Sequence, residues 1–534
     1  MESGSSVEKK SHCSFVFVGM AALAGGVALG TASYFAISRF KAMQELPRSS
    51  ARAIKAVAPL GVGGAAALTI ACLGRTYGCS ASSNEYGKDI QSWWSTASPA
   101  PRTPESLPAF YCGRRLEEGG LLGRLVTSLT QAPPMDKGSM SGPCKRETAR
   151  MEAFLKTNFG FQNIEGEWFV HGVRAFELAR PPADLVPETS FKCTDSDACF
   201  AFSNQELAEW QQSYRVYADE EKLGEIEGEP KAFIQRVLRG EAEAGPEAFL
   251  MKYIVRVSQT PILSEFDGKT IPREIGEEVG DITLLSTCAI DFAGRIHDKD
   301  DIKRYITNWK EAFELDDHGE FKTSGGRDLI QKSVDGQQVA LELDQDLLLE
   351  DLERMTRLRF KVLDELGIEI AVESAMGLGV FAGDRFGREV GEKVRLASAM
   401  AIKNVLETYK FKTLALLTFA LPVFKPTDNY HVFTQVFQEY KGITPVLILD
   451  QDMHRIARIA ATEEDGAGGR AKRFKVSELN PGDSHGVFGE YWQNHGPGTE
   501  EKLALTTLGL LTQHHAINPH VVEEDRYTLL SADV

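Results

Sequence analysis

Hydrophobic and polar positions alternate in blocks after about residue 344, and the block lengths predict strands and helices in turn. "DQDLLLEDLERMTRLRFKVLDELG" carries apolar residues at helical spacing and stops at Gly367, while "IEIAV" is a short apolar run of strand length. "EKVRLASAMAIKNVLETYKF" places Val394, Ala397, Ala401 and Val405 on one helical face. "KTLALLTFALPVF", "TPVLILD" and "RFKVSEL" read as further strands, separated by the helices "NYHVFTQVFQEY" and "MHRIARIAA". Strand and helix alternating at this length predict an α/β domain over 341–534 with a mostly parallel sheet. Such sheets bind ligands beyond the carboxyl ends of their strands.

Upstream the pattern changes. Residues 146–340 read as a globular region of unknown type, helical or α+β. Its expected helices are "KRETARMEAFLKTNFG", "SNQELAEWQQSYRVYADEEKLGEIEG" (with Ser203 and Glu206 as a capping box), "PKAFIQRVLRG" and "DDIKRYITNWKEAFEL"; its expected strand is "FLMKYIVRVS". "FVHGVRAFELA" groups His171, Arg174 and Glu177, but a histidine among apolar residues is more often core than catalytic. Residues 81–145 are rich in Ser, Pro and Gly and read as a disordered tether.

The first 80 residues contain two uncharged apolar runs, 14–38 and 56–74, each long enough for a transmembrane helix. Together they predict an N-terminal transmembrane hairpin and an integral membrane protein. Arg39, Lys41, Arg48, Arg52 and Lys55 lie between the runs against Glu45 alone, which places this loop on the cytoplasmic or matrix side. Gly26 with Gly30, and Gly61 with Ala65, offer small-residue faces for a helix–helix partner. The spans, their basic loop and the trailing "SSNEYGKDIQSWW" resemble a family of two-helix mitochondrial membrane proteins implicated in ATP synthase assembly. That resemblance implies the mitochondrial inner membrane.

Composition narrows the function. A net charge of −17 argues against general nucleic-acid binding. Eight cysteines follow no CxxC zinc spacing, and Cys193 and Cys199 read as surface thiols rather than a local bridge. His485, His495, His514, His515 and His520 fit no standard zinc pattern, so neither a metal nor another cofactor is expected.

Three strand-end loops carry candidate chemistry. "GLGVFAG" holds Gly377, Gly379, Val380, Phe381 and Gly383; its glycines would let backbone N–H groups approach a phosphate, or simply make a tight turn. "LDQDMH" places Asp450 and Asp452 between a strand and a helix, where one Asp is well explained as a cap. "ELNPGDSHGVFGEYWQNHGPGTEEKLALTT" runs from a strand through Asn480, Gly486 and Gly489 to Glu500 and Glu501 at a helix start.

Together the three loops resemble a macro domain of the poly(ADP-ribose) glycohydrolase branch, with the order of elements circularly permuted. The resemblance implies ADP-ribose or a related nucleotide as ligand. Asp452 would read the adenine, Asn480 the ribose, and Gly377, Gly379, Val380 and Phe381 the diphosphate, with Gly486 and Gly489 lining the pocket. Glu501, beside Glu500, would protonate the leaving oxygen of an ADP-ribosyl glycosidic bond. Two departures bear on activity: Thr499 stands where the family has Gln, and Val487 and Phe488 interrupt its triple glycine. A hydrolase, an inactive reader of ADP-ribose, and an assembly scaffold are the three functions left open.

Overall fold

The structure, a computed structural model, describes residues 106–135, the short strands Gln162–Ile164, Glu167–Phe169 and Ser190–Thr194, most of 199–463, and 473–482 and 526–531. The chain divides into two compact units. One, residues 1–99, 162–168 and 491–500, lies almost wholly outside the described residues. The other carries the sheet.

That sheet has nine strands: β1 (Phe110–Cys112), β2 (Arg215–Asp219), β3 (Ile254–Pro261), β4 (Asp281–Cys288), β5 (Ile370–Ser374), β6 (Leu416–Ala420), β7 (Val446–Leu449), β8 (Val476–Gly482) and β9 (Tyr527–Leu530), in the spatial order β1-β7-β6-β5-β8-β4-β3-β2-β9. The helices that pack on or beside it are α1 (Leu121–Thr130), α2 (Lys299–Tyr305), α3 (Gln345–Leu366), α4 (Arg388–Thr408), α5 (Asn429–Phe437) and α6 (Met453–Thr462). The central block β7-β6-β5-β8-β4 is parallel, whereas β1, β3 and β2 add antiparallel pairings. The sheet is therefore mixed, in an α/β architecture.

β5, β6 and β7 are near-continuous apolar runs because both their faces are covered. On one face Leu125 and Leu129 of α1 and Ile456, Ala457 and Ala460 of α6 pack on Ile370, Val372, Leu416, Leu447 and Val476. On the other, Phe419 meets Phe433 and Phe437 of α5, and α4 lies between α3 and α5. Local signals set the helix ends. Asp344 accepts the Leu347 N–H at 3.0 Å to start α3, and Gly367, at φ +69°, ends it.

Several expectations change. The N-terminal transmembrane hairpin at 14–38 and 56–74, and with it the integral-membrane and mitochondrial inner-membrane location, is corrected: among the described residues no helix is long and apolar enough to cross a membrane. Both spans, and the small-residue faces on them, lie outside the described residues. The two longest described helices, α3 at 22 residues and α4 at 21, are interrupted throughout by charge and lie against the sheet. The sheet also crosses the boundary expected at 340, since β2, β3 and β4 come from the middle region and β1 and α1 from the tether. "YRVYAD", read as helix, is strand β2; its alternating burial against β3 overrides the helical spacing of its neighbours. The capping box is present: Glu206 N–H donates to Ser203 Oγ at 3.2 Å, and Ser203 N–H to Glu206 Oε2 at 2.8 Å.

Candidate functional site

From β5 the chain passes through α4 to β6 and through α5 to β7, stepping each time toward β1. From β7 it passes through α6, on the opposite face, and returns across the sheet to β8 on the far side of β5. The winding thus reverses between β5 and β8. At such a switch point the two strand-end loops diverge to opposite faces and leave a crevice, where open α/β sheets bind their ligands.

The pairing register shows what lies at this crevice. Leu449, Ala420 and Ser374 form one row across β7, β6 and β5; β8 pairs with β5 as far as Glu478 opposite Val372, and two residues on Asn480 stands opposite Ser286 of β4. The loops leaving Ser374, Leu449 and Asn480 therefore start from one edge of the sheet. They are the loops that carry Gly377, Asp452 and the Asn480 segment.

The loop after β5 is held tightly at two of its glycines. Gly377 has φ +73°, and a Cβ there would lie 2.5 Å from the Ala289 Cβ and 3.2 Å from the Ile290 carbonyl oxygen. Gly383, at φ +95°, faces Phe292 and Val390 as closely. Gly379 differs. It precedes the short turn Val380–Ala382 at φ −93°, and a Cβ there would meet nothing within 4 Å among the described residues. Two glycines thus serve packing, while the third faces open space. Phe381 gives its carbonyl to the Phe292 N–H at 2.9 Å, and the Arg295 guanidinium stands 5.8 Å from its ring.

Asp452 caps α6: its carboxylate accepts the His454 N–H at 2.8 Å and the Arg455 N–H at 3.3 Å, and the residue is 1% exposed. Asp450 accepts the Leu107 N–H at 3.1 Å and the Val423 N–H at 2.8 Å, joining the ends of β6 and β7 to the segment that leads into β1. Behind these loops His454 Nδ1 lies 2.7 Å from Glu478 Oε1, both side chains 1% exposed, which links α6 to the strand two residues before Asn480. Asn480 is in β8 as the register requires, while Gly486, Gly489, Glu500 and Glu501 lie outside the described residues.

The structure adds residues that the sequence did not single out. Ser374 Oγ, at the tip of β5, is buried without a hydrogen-bond partner among the described residues. So is Asn429 Oδ1 at the start of α5, whose amide nitrogen donates to the Leu378 carbonyl at 3.3 Å. Glu373 sits one residue earlier, its carboxyl raised above the ordinary range by burial and opposed by Arg359 Nε at 3.0 Å. Unpartnered buried oxygens cost free energy unless water or a ligand satisfies them. A "turn Ser" and a "helix-start Asn" are too common in sequences to have been flagged. Away from the crevice, a shallow groove of about 600 Å³ runs beside α1, lined by Tyr111, Arg124 and Glu463 among others. Among the described residues no His, Cys, Asp or Glu group is arranged to hold a metal.

No protein-family model matches the chain, and no characterised protein matches it.

Proposed function

We propose that the crevice between the ends of β5 and β8 binds ADP-ribose or a closely related nucleotide, with the diphosphate against the backbone of the Gly377–Phe381 loop. The observation that carries this reading is the reversal of winding at β5 and β8 with an unobstructed glycine, Gly379, beside it. Backbone N–H groups near such a glycine can reach a phosphate oxygen that a side chain would exclude. Asn480, in β8 opposite Ser286 of β4, would take the ribose hydroxyls. Asp452 gives one carboxylate oxygen to two helix N–H groups, and its adenine role rests on the resemblance alone.

Binding without turnover is the form the sequence favours, because the departures at Thr499, Val487 and Phe488 bear on hydrolysis more than on binding. Hydrolysis rests on Glu501. It would give its proton to the leaving oxygen as the C–O bond breaks, and water would then attack the oxocarbenium-like ribose.

Isothermal calorimetry of the full chain with ADP-ribose tests the reading. The full chain is required because β1 to β4 precede residue 341. Saturable heat that is competed by ADP but not by adenine supports a diphosphate-led site. No heat and no thermal shift at millimolar ligand removes the proposal and leaves the scaffold role.

A further inference from the structure

The turn Ala289–Gly294, which leaves β4 at the rim of the crevice, is the mould for the Gly-rich loop. Phe292 donates its N–H to the Phe381 carbonyl at 2.9 Å. Ala289 and Ile290 press on Gly377, and Phe292 on Gly383. The Phe386 ring fills the place where a side chain at Gly294 would stand, and Arg385 Nη1 donates to the Ala293 carbonyl at 3.4 Å. The loop's shape is therefore inherited from the turn.

The turn in turn is shaped by buried charge. Asp291 Oδ1 accepts the Ala293 N–H at 2.5 Å, and the Asp291 N–H donates to Asp301 Oδ2 of α2 at 2.6 Å. Lys252 Nζ stands 3.1 Å from that same Asp301 oxygen. Asp291, Asp301 and Lys252 are 2%, 3% and 4% exposed. Two carboxylates are thus buried with one ammonium. Arg295 and Lys252 both draw the Asp291 carboxyl down, but less than burial raises it. Arg295 is half-buried over Phe381, Arg385 pairs with Asp328 at 3.2 Å, and Asp300 adds a further acid beside Asp301. The Tyr305 hydroxyl is turned to Asp351 at 2.9 Å.

We propose that Asp291, Asp301 and Lys252 form a proton-sensitive latch that positions the Gly377–Gly387 loop, and that capture of the nucleotide proposed above, on which this second half rests, is tighter while the latch is protonated. Two ionised carboxylates cannot share a dry site at low cost, so one keeps its proton. Burial raises both carboxyls, and Lys252, standing on Asp301, offsets this there, so the pair's proton sits mainly on Asp291. Burial, with the Asp301 charge added, pushes the Asp291 carboxyl up to about 7. A carboxyl raised in the docked state favours docking at low pH, and that contribution is lost as pH rises from near 4 toward 7. Above the upper limit Asp291 is ionised in both states and the effect levels off. Opening of the loop then rises by at most about tenfold per pH unit within the window, and by tens of fold in all between about pH 5 and 7.

Hydrogen exchange of the ligand-free full chain, followed by mass spectrometry at pH 5 and pH 7 and corrected for the intrinsic rate, reads this opening in peptides spanning 289–296 and 375–387. The wild type is expected to open tens of fold more at the higher pH. Asp291→Asn, whose amide oxygen still accepts the Ala293 N–H but never ionises, is expected to be flat. Asp301→Asn removes the neighbouring charge and shrinks the slope, and it serves where Asp291→Asn fails to fold. A flat wild type, or an unchanged slope in either variant, overturns the latch. ADP-ribose titrations at the same two pH values separate the two readings. Loop opening that follows pH with no ADP-ribose heat overturns the binding proposal alone; ADP-ribose binding with a pH-flat loop overturns the latch alone.

Discussion

Gly377 and Gly379 are two residues apart in one loop, and the structure gives them opposite duties. Alanine at Gly377 must adopt φ +73°, in the left-handed region, at about 1–2 kcal/mol. Its Cβ also meets the Ala289 Cβ at 2.5 Å, against backbone already paired through Phe292 and Phe381. Relief of that overlap adds about 1–3 kcal/mol, so Gly377→Ala is expected to destabilise the loop and its turn by about 2–5 kcal/mol in all. Gly379→Ala adds a Cβ that meets nothing within 4 Å among the described residues, so it should cost clearly less stability than Gly377→Ala. If a phosphate oxygen meets the backbone there, the same methyl lowers ADP-ribose affinity about tenfold or more, the equivalent of about 1.4 kcal/mol. Urea unfolding and calorimetry on the two variants measure both quantities. Gly377→Ala unfolding with wild type, or Gly379→Ala unfolding earlier than Gly377→Ala, would refute the packing argument whatever the ligand does.

The remaining predictions follow from single side chains. Asp452→Ala removes the cap of α6 and should cost about 1–2 kcal/mol in urea unfolding, while Asp452→Asn should recover most of it; if the carboxylate also reads adenine, Asp452→Asn regains stability but not ADP-ribose affinity. Burial alone would raise the Glu265 carboxyl, but Arg455 Nη2 and Arg458 Nη2, each at 2.6 Å, outweigh it and hold it below the ordinary range. A depressed carboxyl contributes stability that is present above its unfolded value, near 4.3, and lost as pH falls through the lower folded value; Glu265→Gln should therefore flatten the acid limb of the stability profile below about pH 4.5. If the protein hydrolyses an ADP-ribosyl bond, Glu501→Gln should slow release of ADP-ribose by roughly 10²–10⁴-fold with affinity retained, measured by chromatography of the products, and unchanged turnover would reduce the Glu500–Glu501 pair to a helix start.

The parts of the fold that sequence periodicity conveyed are those whose packing is local. α3 announces itself through Asp344 and Gly367, and β5, β6 and β7 through apolar runs that only a sheet covered on both faces requires. β2 was hidden because its residues carry no turn signal and lie inside a helical rhythm; only β3 and β9 on either side make it a strand. β1 was hidden for a similar reason. Three residues in a proline-rich stretch become a strand because the edge of β7 and the Asp450 carboxylate are waiting for them, more than 300 positions away in the chain. The crevice was legible as three loops with suggestive residues, since each loop's composition follows from its own turn. The reversal of winding was not, because it depends on β8 returning past β5. Nor was the Asp291 latch: its partners Lys252 and Asp301 come from separate elements and meet only in the folded chain. Sequence offered a helix cap for one of Asp450 and Asp452 without saying which; in the fold Asp452 takes it.

A crystal structure of the full chain with ADP-ribose tests the central claim most directly. The account predicts the diphosphate within hydrogen-bond distance of backbone N–H groups between Gly377 and Phe381, with the terminal ribose beside Asn480. ADP-ribose seated instead in the groove of Tyr111, Arg124 and Glu463, or no density for it in crystals soaked at millimolar concentration, would contradict it.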